Sequence, residues 1–465
     1  MTASRERLPG LAGGMRLSVL FSSDSEGRTW TSSAISTFSH PHMTKPADPR
    51  RRPYLPRRVA PPLSRELGGP QLAGLNILEE HPGIGGFVLW VSFRDADLWI
   101  AAEDRSSILR SEGREGRREE VAQLKEPAYS EIKPALLMLA DLPIDHGLDS
   151  AEVGSGCDCI AGWSEARGNL GTAVEFAQVA SFAVPDRALF AVRVGRVLRM
   201  RAEYARSITW FDYGITLARA RGDWEAYAQG NAGLGCLHMQ RGNYPRARRI
   251  LRRSLRIAIR HHLPERAGAA YHNLFAVEAS TGNWLLAEDY ATKALAHYPL
   301  GARGLPRLAR DLAFRWIERG HFARALPLSQ EVLQHFTVAA DRALVLSDIA
   351  RAAAGASAHV EIIEDAWAQA YALLKTNNVD PFEVDILLNL AQAASMREDV
   401  VRAEMVVRRA LDVAQSRRQG EAILAAEALL HSLRSPTAPT ARADEWNEVA
   451  DTFVRVLQQA RTAAA

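Results

Sequence analysis

Residues that could do chemistry are few in this chain, and their spacing suits little of it. His261 and His262 are adjacent and sit at a helix end beside Leu263-Pro264, so they cannot share one helical face to hold a metal. Cys157 and Cys159 lie two apart and point to different faces of a helix, and with Cys236 they make no disulfide framework. Gly83-Ile84-Gly85-Gly86 lacks both the spacing and the following Lys-Ser/Thr of a phosphate loop. Gly230, Gly233 and Gly235 fall inside a helical pattern, where close packing explains them better than a ligand. No Ser/His/Asp set, no Cys/His set and no paired acidic motif stands out. Catalytic residues, cofactor-binding residues and metal ligands are therefore assigned to none, and the chain does not read as an enzyme. One cluster remains. From Pro245 to Arg260 the chain carries Arg246, Arg248, Arg249, Arg252, Arg253, Arg256 and Arg260, while Ala247, Leu251, Leu255 and Ala258 hold a packed face. Such a stripe either meets nucleic acid through its phosphates or is a solvated outer face.

The elements that must position these residues repeat. From Asp223 to Pro299 the chain holds two near-copies of one pattern. Leu234-Gly235, Gly242-Asn243-Tyr244 and Ala247 in the first answer to Leu274-Phe275, Gly282-Asn283-Trp284 and Ala287 in the second. A helix packs, a Gly-Asn-aromatic turn reverses the chain, and a second helix returns with small residues inward. The residue two places after the turn recurs as Leu170, Tyr204, Tyr244, Trp284, Phe322, Val360 and Val400, at spacings of 34, 40, 40, 38, 38 and 40. Three places after each marker stand Ala173, Ser207, Ala247, Ala287, Ala325, Ile363 and Ala403. Small residues are needed where two helix axes cross closely. Nine places before the markers, Ala161, Gly195, Gly235, Ala313 and Ala391 supply the matching contact on the first helix. The copy centred on Val360 departs from this, with Arg351 and Ile363 at the small-residue positions.

These residues resemble the tetratricopeptide repeat family. Tyr271, Leu274, Gly282, Trp284, Ala287, Ala294 and Pro299 match one repeat. Asn231, Leu234, Gly235, Gly242, Tyr244, Ala247 and Leu251 match another. The resemblance covers roughly residues 153–434. Most copies are longer than the family's common period by about one helical turn, as in some bacterial signalling regulators and motor light chains. It implies an all-α fold, a right-handed superhelical solenoid of antiparallel helix pairs. It also implies a non-catalytic scaffold that binds a protein or peptide in a concave groove lined by the first helix of each pair. In this chain the family's groove positions fall on Arg193, Arg196 and Arg199, on His272 and Asn273, and on Arg307 and Arg310. The family's carboxylate clamp uses Lys and Asn. Asn273 stands at a matching Asn position, but Arg takes the place of the clamp's Lys in part, so the expected ligand is an acidic peptide segment. A sensor or regulator of bacterial signalling or transcription, touching nucleic acid through residues 245–260, is the second reading.

Composition agrees with a solenoid. The chain has 465 residues and a net charge of +3, rich in Ala, Leu and Arg with few β-branched runs. A solenoid grows by stacking and is not bounded by the size of one core. No apolar run reaches the length of a membrane span, and the N-terminus is a poor secretory signal, so a cytoplasmic protein is expected. Residues 1–62 form a tail rich in Ser, Pro and Arg, expected to be disordered, and Met43 would make a plausible start of its own. Residues 63–150 are a helical region containing a charged exposed linker at 104–120, with Trp90 and Trp99 on a packing face. Residues 151–434 are the repeat array. Residues 435–465 are a Pro- and Thr-bearing linker followed by an amphipathic helix expected to cap the last repeat.

Overall fold

The structure, a computed structural model, describes residues 74–101, 114–125, 127–142, 149–376, 382–417, 419–434 and 448–464. The tail, the segment 104–113 and the linker at 435–440 lie outside the described residues. All regular elements among the described residues are helices. Four precede the array: α1 (Leu75–Glu80), α2 (Ile84–Ala101), α3 (Arg114–Ala122) and α4 (Lys133–Ala140). The pairs follow as α5 (Ser150–Ala166) with α6 (Leu170–Ala183), α7 (Ala188–Met200) with α8 (Tyr204–Arg221), and α9 (Trp224–Gln240) with α10 (Tyr244–Arg260). Next come α11 (Pro264–Ser280) with α12 (Trp284–His297), and α13 (Gly304–Glu318) with α14 (Phe322–Leu333). The last pairs are α15 (Ala339–Gly355) with α16 (Val360–Thr376), and α17 (Glu383–Met396) with α18 (Val400–Ser416). The chain ends on α19 (Gly420–Arg434) and α20 (Glu448–Ala464).

Every marker residue is the first residue of a second helix. The reason is the turn. In the α9–α10 pair, Gly242 is left-handed at φ 71°, the Asn243 amide reaches back to the His238 carbonyl at 2.8 Å, and the Gly242 amide donates to Met239 O at 2.8 Å. This double bond set closes the first helix through a left-handed residue. Asn243 then starts the next helix, accepting the Arg246 amide on its side chain at 3.2 Å. The same left-handed residue recurs as Gly168, Ala202, Gly282, Gly320, Ser357 and Glu398. Three of these are not glycine, and a side chain in that conformation costs about 1–2 kcal/mol. At Gly242 a Cβ would meet nothing within 4 Å, so only backbone strain would oppose it. Thermal denaturation should therefore show Gly242→Ala losing about 1 kcal/mol and Ala202→Gly gaining up to about 1 kcal/mol. Equal melting temperatures in both variants would contradict the turn geometry.

The small-residue crossings are as tight as the spacing predicts. Ala173, Ser207, Ala247, Ala287, Ala325 and Ala403 are all fully buried. A Cβ on Gly235 would lie 2.7 Å from Leu251, and one on Gly195 would lie 2.9 Å from Phe211. The Val360 copy is corrected here. Its turn carries one extra residue, since both Ala358 and His359 stand between left-handed Ser357 and the start of α16. Counted from Ser357, the crossing residue is fully buried Ala350, not Arg351. Ile363, on the second helix of that pair, is 4% exposed.

The described chain falls into two compact units, one ending at Arg266 and the other beginning at Ala267, within α11. In the first unit α7 and α9 pack directly on each other, and in the second α13, α15 and α17 do. The second helices of neighbouring pairs make no comparable contact among the described residues. The first helices are thus the tighter, inner row of each unit. In the first unit α1 and α2 pack on α6, and Glu80 caps α6: its carboxylate accepts the Gly171 and Thr172 amides, each at 2.7 Å, and the Thr172 hydroxyl at 2.8 Å. A carboxylate at a helix N-terminus satisfies amides that have no partner within the helix. Trp99 is buried in this core, as expected of a packing face. Part of the expected linker is helical instead: α3 forms because Arg and Glu favour helix, Val121 is buried, and Arg117 pairs with Asp95 at 2.9 Å. In the second unit α20 docks chiefly on α14, not on the last pair that it was expected to cap.

Candidate functional site

The inner row carries a register of polar side chains. Nine residues before each left-handed turn residue stand Cys159, Arg193, Gly233, Asn273, Asp311, Asp348 and Asn389. Six residues before it stand Gly162, Arg196, Cys236, Ala276, Phe314, Arg351 and Gln392. One helical turn apart, these positions share one face of each first helix. Stacking first helices on one another therefore aligns the polar positions of successive pairs.

In the first unit Arg193 meets Asp158 at 2.6 Å and Glu165 at 3.4 Å, and Arg196 meets the same Glu165 oxygen at 2.6 Å. Glu165 on α5 thus joins two arginines of α7, and its other oxygen, Oε1, is buried without a hydrogen-bond partner. Arg199, one turn further along α7, is 4% exposed, and burial lowers its guanidinium from the ordinary value against the pull of Cys236 and Glu165. Of the three arginines Arg193 is the most exposed, with 13% of its side chain accessible against 10% for Arg196, and its partner Asp158 keeps 23%.

The second unit holds a longer chain of contacts. His272 Nε2 lies 3.0 Å from Asp311, and the Tyr298 hydroxyl lies 3.4 Å from His272 Nδ1. Arg310 approaches Asp311 at 3.5 Å and donates through Nε to Asp348 at 2.9 Å. The Asn389 amide donates to Asp348 at 2.7 Å and to the Ser347 hydroxyl at 3.2 Å, while Arg351 donates to the Asn389 carbonyl oxygen at 3.1 Å. Four successive first helices, α11, α13, α15 and α17, are linked by this network. Its members are buried: Arg310 is 2% exposed, Asp348 1% and Asn389 4%. Burial pushes the Asp348 carboxyl above its ordinary range, opposed by Arg310, Arg351 and the Asn389 amide. Burial also lowers Arg351, whose Nε has no hydrogen-bond partner. Arg307 is half-buried at the edge, near Asp341, whose carboxyl burial raises against the pull of Arg307 and Arg310.

Of the residues expected from the sequence, the structure brings Arg193 and Arg196 together through Glu165, and His272 and Arg310 together through Asp311. Asn273 is buried in the same row. The sequence reading missed Asp158, Glu165, Asp348, Ser347, Arg351 and Asn389. The signal for three of them was the register itself: Asn389 stands 11 places before Val400 as Arg193 stands before Tyr204, and Asp348 and Arg351 fall into line once the extra residue after Ser357 is allowed for.

The other motifs have packing roles. His261 stacks on Trp224 with ring centroids 4.5 Å apart, and His262 is the left-handed residue of its turn. A Cβ on Gly85 would collide with the Tyr129 ring, and one on Gly86 would lie 1.6 Å from the His81 carbonyl oxygen. Those glycines serve close approach between chain segments. Burial pushes the Cys236 thiol up to about 11 and raises Cys157 further, so neither is ionised near neutrality. Among the described residues no group of His, Cys, Asp and Glu could hold a metal ion, and no helix is long and apolar enough to cross a membrane.

The fold and this inner row define a helical-repeat protein built from antiparallel helix pairs. No family model matches the chain, and no curated protein does. Among solved structures it is similar to a Rap protein complexed with Competence and Sporulation Factor, at 14% identity and a TM-score of 0.44, over 70% of this chain and 98% of that one. It is similar to the same degree to the Rap conjugation gene regulator of the plasmid pLS20 in complex with the Phr* peptide, at 14% identity and a TM-score of 0.44, over 70% of this chain and 97% of that one. At such scores the likeness carries no functional weight.

Proposed function

We propose that the chain is a non-catalytic scaffold of tetratricopeptide type that binds a peptide or an extended segment of a protein partner along its inner row of first helices. The observation that carries this reading is the buried polar register. Stability alone does not favour it, because apolar side chains of similar volume usually serve a core as well as buried ion pairs do. The helix crossings themselves are uncharged, most of them Ala or Gly. Charged and amide groups held in place on one inner face instead offer directional contacts to a peptide backbone. Arg193, Arg196, Arg199, His272, Asn273, Arg307 and Arg310 are the proposed partner-binding residues. Asp158, Glu165, Asp311 and Asp348 balance most of that positive charge, so the segment bound is of mixed polarity. Its acidic residues pair with Arg193 and Arg307, the two least buried members. Free buried thiols fit a cytoplasmic setting.

The test uses Arg193→Gln with Arg307→Gln, which removes the two least buried charges, and with Arg193 its pairings to Asp158 and Glu165, while the Arg196–Glu165 and Arg310–Asp348 pairs stay in place. Partners recovered from the native host by the wild-type protein are titrated against the variant by calorimetry. Affinity should fall at least about tenfold, since a charge-assisted hydrogen bond contributes about 1.5–3 kcal/mol. Unchanged affinity for every partner, with an unchanged helical circular dichroism spectrum, would remove the inner row as the site.

A further inference from the structure

The basic helix α10 plays no part in the inner row, and the fold turns its charges outward. Ala247, Ile250, Leu251, Ser254 and Ala258 are buried against its pair. Arg246, Arg249, Arg252, Arg253, Arg256 and Arg260 are exposed, as is Arg241 in the turn before. The helix contains no acidic residue, and no described acid forms an ion pair with any of those six arginines. Arg246, Arg249, Arg253, Arg256 and Arg260 follow one another at intervals of three and four, which places them on one line along the helix. That line is about 21 Å long at the rise of an α-helix. Like charges at this spacing oppose helix formation rather than support it. The field they create is felt locally: after burial, Arg246, Arg241 and Arg249 lower the His238 imidazole, and burial and Arg260 lower His261.

We infer that the outer face of α10 is a sequence-independent binding surface for the phosphodiester backbone of nucleic acid. A duplex strand presents a phosphate about every 3.4 Å along its axis, so 21 Å of helix faces about six of them. Guanidinium groups pair with phosphate oxygens through two parallel hydrogen bonds. Two other polyanionic surfaces fit less well. A membrane-surface helix needs an apolar face to insert, and here that face is packed inside the pair, leaving Ile259 as the only large apolar side chain exposed on α10. A protein partner would call for apolar or aromatic anchors among the charges, and this face offers none besides Ile259. The surface stands apart from the inner row, so the two readings fail independently.

The experiment measures fluorescence anisotropy of the full chain with a labelled single-stranded RNA and a labelled DNA duplex, each about 20 nucleotides or base pairs, across a salt series. Phosphatidylserine vesicles are assayed in parallel by co-sedimentation. Arg249→Gln, Arg253→Gln and Arg256→Gln are combined, because glutamine keeps helix propensity at exposed sites. Nucleic acid should bind the wild type with a steep salt dependence. The triple variant should bind at least tenfold more weakly, and the slope of log K against log salt should fall by about 3, one for each phosphate contact removed. The imidazole of His238, followed by NMR, should titrate at higher pH when nucleic acid is bound, because the phosphates offset the arginine field. Comparison of the two probes decides between DNA and RNA as the source of the backbone. The arginine run at residues 50–52 lies outside α10, so a wild-type slope retained in the triple variant would overturn the inference. Absence of binding at low salt would overturn it as well. So would binding to vesicles alone.

Discussion

Asp348→Ala should lower the stability of the second unit by about 3–5 kcal/mol, because it leaves the Arg310 guanidinium buried without its main partner. Arg310 is 2% exposed and its Nε donates to Asp348 at 2.9 Å, while the nearer alternative, Asp311, stands 3.5 Å away and already faces His272. Water cannot take over the role of Asp348 at that burial. The pair as a whole should be worth far less than its halves. Burial raises Asp348 despite Arg310, which means that desolvation offsets much of the attraction. Arg310→Met combined with Asp348→Leu should therefore lie within about 1–2 kcal/mol of wild type, or above it. Urea unfolding of the two single variants and the double variant gives the coupling directly. A loss below about 1 kcal/mol in Asp348→Ala would mean that the network linking α13, α15 and α17 does not form in solution. Peptide binding separates structure from function: if the double variant is stable and yet no longer binds, the charges serve recognition.

The pairs were legible in the sequence because their signals are local. A left-handed turn residue, an amide or carboxylate that starts the next helix, and an alanine at the crossing all lie within a few positions of one another. Gly242, Asn243 and Ala247 announce their turn and crossing without reference to any other part of the chain. The inner-row network was only half legible because it depends on register between pairs. Arg193 and Asn273 were found, yet their counterparts Asp348 and Asn389 were not. Counting from Val360 rather than from Ser357 displaces the α15 register by one residue, and on a helix one residue moves a side chain to another face. The same slip put Arg351 at a crossing that Ala350 occupies. Glu80 was not legible either, since a carboxylate that caps α6 from 91 residues away leaves no mark in either segment. Trp99 could be read as packing because apolar periodicity reports burial directly.

The position of α20 was beyond the sequence for a related reason: amphipathicity says that a helix docks but not where. Ala450, Phe453, Leu457 and Ala460 recur at intervals of three and four and are all buried in the second unit's core. The end of the array, where a cap was expected, keeps Leu424 67% exposed. The site that α20 takes instead is beside α14, a second helix of 12 residues, where α16 and α18 have 17 each. At the rim, Gln458 donates to Glu331 at 3.4 Å, and Arg461 lies 3.6 Å from the same carboxylate. Phe453 is the anchor, with no exposed surface. Phe453→Ala should cost about 3–5 kcal/mol if α20 stays docked around the cavity. If the docking energy is smaller than that, the helix detaches and the loss stops there. Removal of residues 448–464 sets that limit, so the two variants should differ only when the cavity is the cheaper outcome. A synthetic peptide of residues 448–464 added to the truncated chain should then bind and restore stability in proportion to its concentration. Wild-type stability in both variants, with no heat of peptide binding in calorimetry, would show that α20 does not rest on α14 and would return it to the role of a helix free for a partner.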